Sequence, residues 1–163
     1  MGHGNTGPSV VASLLDRLTD EHPGSAREAV PLRLHDVDQL RTSVARDLEA
    51  LLNTRREYLD ELPERYPEVE HSLLLYGLPD FTSYSLKSQR DRNRVLQAVE
   101  EAIARFEPRL RDVQVQLIPE EGLGKNLHFR VEGMLKVEPV PEPVTFDTVL
   151  HLTTQEYEVK EER

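Results

Sequence analysis

The chain has 163 residues and carries 20 lysines and arginines against 30 aspartates and glutamates, a formal net charge of −10. This length suits one domain with extensions and is enough to bury a hydrophobic core. The negative charge disfavours nucleic acid and anionic membrane surfaces as partners. The absence of cysteine excludes disulfides, zinc–thiolate sites and thiol catalysis.

The chain starts with a polar, glycine-rich segment, Met1–Pro8, and we expect a flexible N-terminus over residues 1–12. They lack the charged and apolar regions of a targeting peptide. The segment 13–18 (SLLDRL) predicts at most a short amphipathic helix. Because the longest apolar runs are far shorter than a membrane-spanning helix, we expect a cytoplasmic protein without membrane insertion.

Two long amphipathic helices are predicted by apolar residues that recur with the helical period. The first runs from about Val37 to Thr54, and the second from about Ser88 to Phe106. The segment 66–83 between them is apolar but lacks a period, which predicts an ordered loop packed on the core. The predicted buried positions of the helices are Leu40, Val44, Leu48, Leu51 and Leu52, then Val95, Leu96, Val99, Ile103 and Phe106.

After the second helix the apolar period becomes two, which is typical of half-buried strands. Three such runs, at 113–117, 127–137 and 144–152, predict an antiparallel meander whose edges are the first and third runs. The predicted fold class is α+β, with two main amphipathic helices packed on one face of the sheet. We expect a single domain at 13–153, followed by a charged and frayed tail at 154–163.

Catalytic and cofactor-binding patterns are missing from the sequence. None of the six histidines has a partner at a metal-ligand spacing, and no nucleophile elbow is present. A pair of glycosidase carboxylates requires an apolar pocket around the acid, whereas the acidic residues here occupy polar faces, and the chain has no tryptophan to stack on a sugar. We therefore expect no catalytic residues, no metal, no cofactor and no small-molecule substrate.

Two segments before the second helix suggest contacts with another protein. Arg55 and Arg56 end the first helix, where their charge suits the negative end of the helix dipole. They form either a simple C-terminal cap or a contact for a partner. The apolar loop Tyr66–Phe81 is either part of the core or a docking surface.

The segment Glu107-Pro108-Arg109 forms a corner between the second helix and the first strand of the meander. Proline fixes the backbone between two opposite charges, and arginine is well suited to bidentate binding of a carboxylate. Two interpretations stay open at this point. The corner either presents a rigid charged pair to a neighbouring protein, or it is an ordinary helix stop with an internal Glu–Arg pair.

Four segments, in this order along the chain, resemble the TssE family of type VI secretion baseplate components. That family is a branch of the phage baseplate wedge and sheath-initiator family (GpW/gp25-like, "lysozyme-related"). The resemblance covers roughly residues 13 to 152, and its specificity comes from the order and spacing of the motifs. The segments are SLLDRL at 13–18, SVARDL at 43–48 leading into LLNTRR at 51–56, YGLPD at 76–80, and FEPRL at 106–110.

The resemblance implies a structural component that anchors to the baseplate wedge and initiates polymerisation of the contractile sheath. Its partners would be the wedge proteins TssF, TssG and TssK and the sheath proteins TssB and TssC, in the cytoplasm at a baseplate near the inner membrane. The family's Glu-Pro-Arg motif, which grips the wedge core, corresponds here to Glu107, Pro108 and Arg109. Arg55 and Arg56 are expected as further protein contacts.

Two other functions compete with this one. A soluble regulatory binding protein with the same fold, comparable to an anti-adapter, predicts one soluble partner and no effect on sheath assembly. A cell-wall glycosidase, the activity suggested by the "lysozyme-related" label, finds no support in the sequence. The open edges of a meander also suit the baseplate role, because an edge strand can pair with a strand of another chain.

Overall fold

Both predicted long helices are confirmed in the computed structural model. Helix α1 spans Val37–Asn53 and helix α2 spans Gln89–Phe106. Ser88 caps α2, since its hydroxyl oxygen accepts a hydrogen bond from the backbone N–H of Asp91 at 3.3 Å. Within the part of the chain that is described, no helix is long and apolar enough to cross a membrane. The described residues are 10–11, 33–34, 37–57, 65–85, 88–118, 126–137, 140–151, 154 and 156–161.

The segment that precedes α2 contains two short 3-10 helices, Pro67–His71 and Leu73–Leu75. Leu75 and Leu78 are buried, as expected for a loop packed on the core, whereas the side chain of Leu73 points outward and is 85% exposed. Near the N-terminus, β1 (Val10–Val11) pairs antiparallel with β2 (Arg33–Leu34). The predicted short helix at 13–18 lies outside the described residues.

The main sheet is antiparallel and its strands follow one another in chain order. Strands β3, β4 and β5 correspond to the three predicted runs, and the predicted α+β meander under two helices is confirmed. A fourth strand, β6, extends the sheet beyond β5. The strands are β3 (Leu110–Leu117), β4 (Asn126–Leu135), β5 (Glu142–His151) and β6 (Glu156–Glu161).

The expectation of a frayed tail is wrong for Glu156–Glu161, and so is the expectation that the third strand forms the second edge. Strand β6 pairs with β5 over six residues and is itself the edge. Its charged residues alternate with Tyr157 and Val159, which are buried against the core. Because most residues of this segment are charged, its sequence does not indicate a strand, although Tyr157 and Val159 give the strand one apolar face.

The core lies between the sheet and the two helices. Phe129 of β4 and Phe146 of β5 are completely buried at its centre, and the ring of Phe129 meets that of Tyr157 edge-on at 6.1 Å between centroids. Burial of one such aromatic side chain stabilises the fold by about 1.5–3 kcal/mol. All the predicted helix positions except Leu96 and Phe106, which are partly buried, are buried in this core.

A glycine allows the loop before α2 to approach the end of α1 closely. Gly77 has a φ of 103°, and a Cβ at this position would lie 2.2 Å from the carbonyl oxygen of Thr54. The same carbonyl accepts a hydrogen bond from the N–H of Leu78 at 2.8 Å, and the N–H of Arg56 donates to the carbonyl of Leu78 at 2.9 Å. A side chain at position 77 would therefore break this pairing.

We predict that Gly77→Ala lowers the free energy of unfolding by about 2–4 kcal/mol, because it combines a strained backbone with a clash against backbone atoms. Urea unfolding followed by circular dichroism measures this loss. The matched control is Gly133→Ala, whose Cβ would lie 3.3 Å from the carbonyl oxygen of Arg111 without a positive φ. An equal loss in the two variants would contradict the close-approach explanation.

Candidate protein-binding site

The corner between α2 and β3 is fixed by backbone hydrogen bonds. The N–H of Glu107 donates to the carbonyl of Ile103 at 2.9 Å, and the N–H of Leu110 donates to the carbonyl of Glu107 at 3.2 Å. The N–H of Lys136, just beyond β4, donates to the carbonyl of Arg109 at 2.8 Å. The predicted charged segment therefore lies on a rigid turn that is tied to both α2 and the sheet.

The carboxylate of Glu107 is directed into the protein and binds Arg109. Glu107 is only 4% exposed. One of its oxygens accepts from the backbone N–H of Arg109 at 3.1 Å and from Nε at 2.7 Å, and its other oxygen pairs with a terminal guanidinium nitrogen. The internal Glu–Arg pair, one of the two interpretations of this segment, is present in the structure.

Arg109 also joins the corner to α1. Its guanidinium donates to the hydroxyl of Ser43 at 3.2 Å and to a carboxylate oxygen of Asp47 at 2.7 Å. Burial of the guanidinium acts to lower the pKa of Arg109, but the hydrogen bonds and charges of Glu107 and Asp47 outweigh it and raise this pKa above its ordinary value. Arg109 therefore stays charged and holds α1 against the α2–β3 corner.

The groups that a partner can reach at this corner differ from the buried pair. Pro108 is exposed, and the Arg109 side chain retains 21% of its accessible surface. Lys136 is exposed and its ammonium group donates to the carbonyl of Pro108. Arg46 is exposed and binds the second carboxylate oxygen of Asp47 at 3.2 Å. The accessible rim of the corner is thus basic, although the protein as a whole is acidic.

The second predicted protein contact, Arg55 and Arg56 at the end of α1, lies on the surface, unlike the buried Glu107 of the corner. Arg55 forms an ion pair with Asp80, and Asp80 also accepts the N–H of Thr82 at 2.9 Å. The hydrogen bond from Arg55, assisted by those from Thr82, lowers the pKa of Asp80 to about 2. The Arg55 side chain remains 60% exposed, and Arg56 is partly exposed. Both arginines are thus accessible to a partner, and a contact there stays a prediction.

The structure joins segments that are far apart in the sequence. The end of α1 pairs with the loop around Leu78, and Ser43 and Asp47 meet the Glu107–Arg109 corner. The contact between Asp47 and the corner was not among the predictions from the sequence. Ser43 and Asp47 are four residues apart and therefore share a helix face, but this spacing does not indicate which segment the face contacts.

The structure is an α+β domain of two helices on a four-stranded antiparallel sheet, with a helix–strand corner that is braced by an internal Glu–Arg pair and has a basic rim. The chain belongs to the family of baseplate wedge protein gp25, whose family model matches residues 38–140. This match runs from α1 into the connection after β4. The family's role is structural, in a phage-tail-like baseplate where the neighbours are other proteins. No curated protein and no solved structure matches the chain significantly.

We predict that Glu107→Ala lowers the free energy of unfolding by about 2–3 kcal/mol. Breaking a buried charged pair typically costs about 3–5 kcal/mol, and Asp47 remains to pair with Arg109. Glu107→Gln keeps an acceptor oxygen and is expected to cost about 1 kcal/mol. Urea unfolding measures both losses against Glu101→Ala, which removes an exposed carboxylate from the preceding helix α2. Equal midpoints for the two alanine variants would refute the bracing role.

For the Arg55–Asp80 pair, we predict that Arg55→Ala raises the pKa of Asp80 from about 2 towards its ordinary value near 3.9. Because the folded pKa is depressed, the pair contributes stability above about pH 4, and this contribution is lost as the pH falls towards 2. Carboxyl carbon chemical shifts in an NMR titration report this pKa. Arg56→Ala serves as the control and should leave the Asp80 titration unchanged.

Proposed function

We propose that this protein is the TssE-type component of a type VI secretion baseplate, which anchors to the wedge core and initiates polymerisation of the contractile sheath. The observation that carries the proposal is the match to the baseplate wedge family over 38–140, taken with the motif order of TssE. Its partners are then the wedge proteins TssF, TssG and TssK and the sheath proteins TssB and TssC. On this proposal the protein acts in the cytoplasm, near the inner membrane, and is not an enzyme.

The wedge anchor in this proposal is the corner formed by Glu107, Pro108 and Arg109. Glu107 positions the guanidinium from inside the protein, so that little conformational entropy is lost when a partner binds it. Pro108 and the basic rim of Lys136 and Arg46 supply the accessible surface. A basic rim on an acidic protein favours an acidic patch on the partner and fixes the orientation of docking.

Arg55 and Arg56 serve in this proposal as a second, weaker contact. Arg55 is held by Asp80 but stays 60% exposed, so a partner carboxylate can share its guanidinium. Exposed ion pairs contribute little, because water and salt screen their charges. We therefore expect this contact to tune the position of the protein in the baseplate rather than to hold it there.

Sheath initiation in this proposal proceeds by backbone pairing. The sheet has strand edges at β3 and β6, and an edge strand is a template for a strand from another chain. A protein held rigidly in the wedge then offers the first sheath subunit a fixed strand edge. The anchor and the sheet edge thus perform separate tasks on one rigid domain.

The test is sheath assembly in cells that carry a fluorescent sheath protein and lack this gene. We predict that the native protein restores extended sheaths and that the Glu107→Ala/Arg109→Ala double variant does not. Because this change also removes internal contacts, its abundance and folding must match those of the native protein. The matched control is Arg130→Ala/Asp147→Ala, which removes a 3.0 Å ion pair from the sheet and should restore sheaths.

A surface variant separates anchoring from folding in the same cells. Arg46→Glu/Lys136→Glu reverses the basic rim and leaves the buried Glu107–Arg109 pair in place. We expect it to lose wedge binding and sheath assembly with only a small loss of stability, because the contacts removed, to Asp47 and to the carbonyl of Pro108, involve exposed side chains. Normal sheaths in cells without the protein would refute the initiator proposal and favour the regulatory binding protein instead.

A further inference from the structure

The apolar loop between the two long helices divides into a buried part and an exposed part. Leu75 and Leu78 are buried in the core, whereas Leu73 and Leu74 are 85% and 57% exposed. From the sequence, this loop was either part of the core or a docking surface. Two adjacent leucines that face solvent contribute little to the core, and an exposed apolar cluster with a polar rim is typical of a protein contact.

Hydrogen bonds hold these leucines in one conformation. The 3-10 helix Leu73–Leu75 begins after Ser72, whose hydroxyl accepts the N–H of Leu74 at 3.3 Å and donates to the carbonyl of Val69 at 2.8 Å. The N–H of Leu75 donates to the carbonyl of Ser72 at 3.1 Å, and the buried side chain of Leu75 fixes the turn to the domain. A surface that is preorganised in this way loses little conformational entropy when a partner binds.

Tyr76 connects this turn to the corner after α2. Its N–H donates to the carbonyl of Leu73 at 3.2 Å, and its ring meets that of Phe106 edge-on at 5.3 Å between centroids. Burial and the charges of Asp47 and Glu107 raise the pKa of Tyr76 above its ordinary value, an effect that requires its hydroxyl to lie near both carboxylates. The exposed leucines therefore adjoin the corner that we propose as the wedge anchor.

Basic groups lie on the other flank of the turn as well. Arg56 and Arg105 line a small pocket together with Leu75 and Phe106. Glu101 lines the same pocket, so two guanidinium groups face one carboxylate. Both arginines are partly exposed, and neither forms an ion pair with another residue in the described part of the chain. With the basic rim of the corner on one side and these arginines on the other, the leucines have basic groups on both flanks.

We propose that Leu73 and Leu74 insert into an apolar groove of a wedge protein, and that carboxylates on both sides of this groove bind the two basic flanks. This inference rests on the proposed function and names the chemistry of its partner. Since Leu73 projects from the surface, the complementary surface is concave and apolar. Basic flanks on an acidic protein select an acidic rim around that groove.

The apolar centre and the charged flanks have separate tasks on this surface. Burial of the two leucines supplies affinity, because the area that they remove from water is lost to solvent in the free protein. The arginines orient the partner and exclude surfaces that lack acidic groups. The corner and the end of α1, which the sequence suggested as two contacts, are then two sides of one interface with the leucines at its centre.

The first experiment measures binding of the full-length protein to the purified TssF/TssG complex by surface plasmon resonance. We expect Leu73→Ser/Leu74→Ser to weaken binding at least about tenfold, because the apolar contact is lost. The matched control is Leu73→Met/Leu74→Met, which keeps the apolar area and should bind within about twofold of the native protein. Circular dichroism and thermal unfolding establish that each variant is folded, as expected for changes at exposed positions.

The salt dependence of the same binding tests the charged flank. We expect Arg56→Glu/Arg105→Glu to weaken binding about tenfold and to reduce the loss of affinity at high salt, whereas the serine variant keeps the native salt dependence. Arg90→Glu/Arg94→Glu changes the net charge equally in the first half of α2, away from the turn. This control should bind within about twofold of the native protein, because it leaves both flanks intact.

The outcomes separate this inference from the proposed function. Native binding in the serine variant, equal loss in the serine and methionine variants, or equal loss in the two arginine variants would overturn the inference, while native binding to TssF/TssG upholds wedge anchoring. If the native protein fails to bind TssF/TssG, the proposed function and this inference fail together. Sedimentation that shows a native dimer, lost in the serine variant while wedge binding persists, would assign the leucines to a second copy instead.

Discussion

Two helices must cover the apolar face of a four-stranded sheet, and the remaining features of the molecule follow from this burial. Phe129 and Phe146 lie fully buried at the middle of the sheet beneath α1 and α2. Each helix lies along one side of that face, with α1 beside β6 and α2 beside β3. Because the helices approach the strand edges, their polar side chains reach backbone groups there and satisfy them.

The same packing explains why charged groups occupy partly buried positions. Where α1 passes the α2–β3 corner, it brings Asp47 within hydrogen-bond distance of the guanidinium that Glu107 already holds. A partly buried cation that is paired with two carboxylates keeps its charge and its geometry. The Glu-Pro-Arg segment is therefore a rigid part of the domain, and a basic rim around it faces outward. The wedge anchor that we propose uses this rim on an acidic protein.

Fold and candidate site were predictable from the sequence to different degrees. The period of the apolar residues was sufficient to predict α1, α2 and three of the strands, because an element that is buried on one face carries apolar residues at its own period. The strand β6 escaped detection because its charged residues outnumber Tyr157 and Val159. The residues Glu107 and Arg109 were singled out by type and spacing. Their partner Asp47 was not, since a contact between residues 62 apart has no local signal.

What the sequence determined by itself is the fold class, the two helices, the core and membership of a baseplate wedge family. All of these depend on residue order and on local periodicity. Only the tertiary structure decided that Glu107 faces inward onto Arg109, that Asn53 and Glu49 bind backbone groups of β6, and that Glu100 binds the backbone of β3. The physical reason is that hydrogen-bond partners and exposure are set by where whole elements pack, and packing brings together side chains that no spacing in the chain relates.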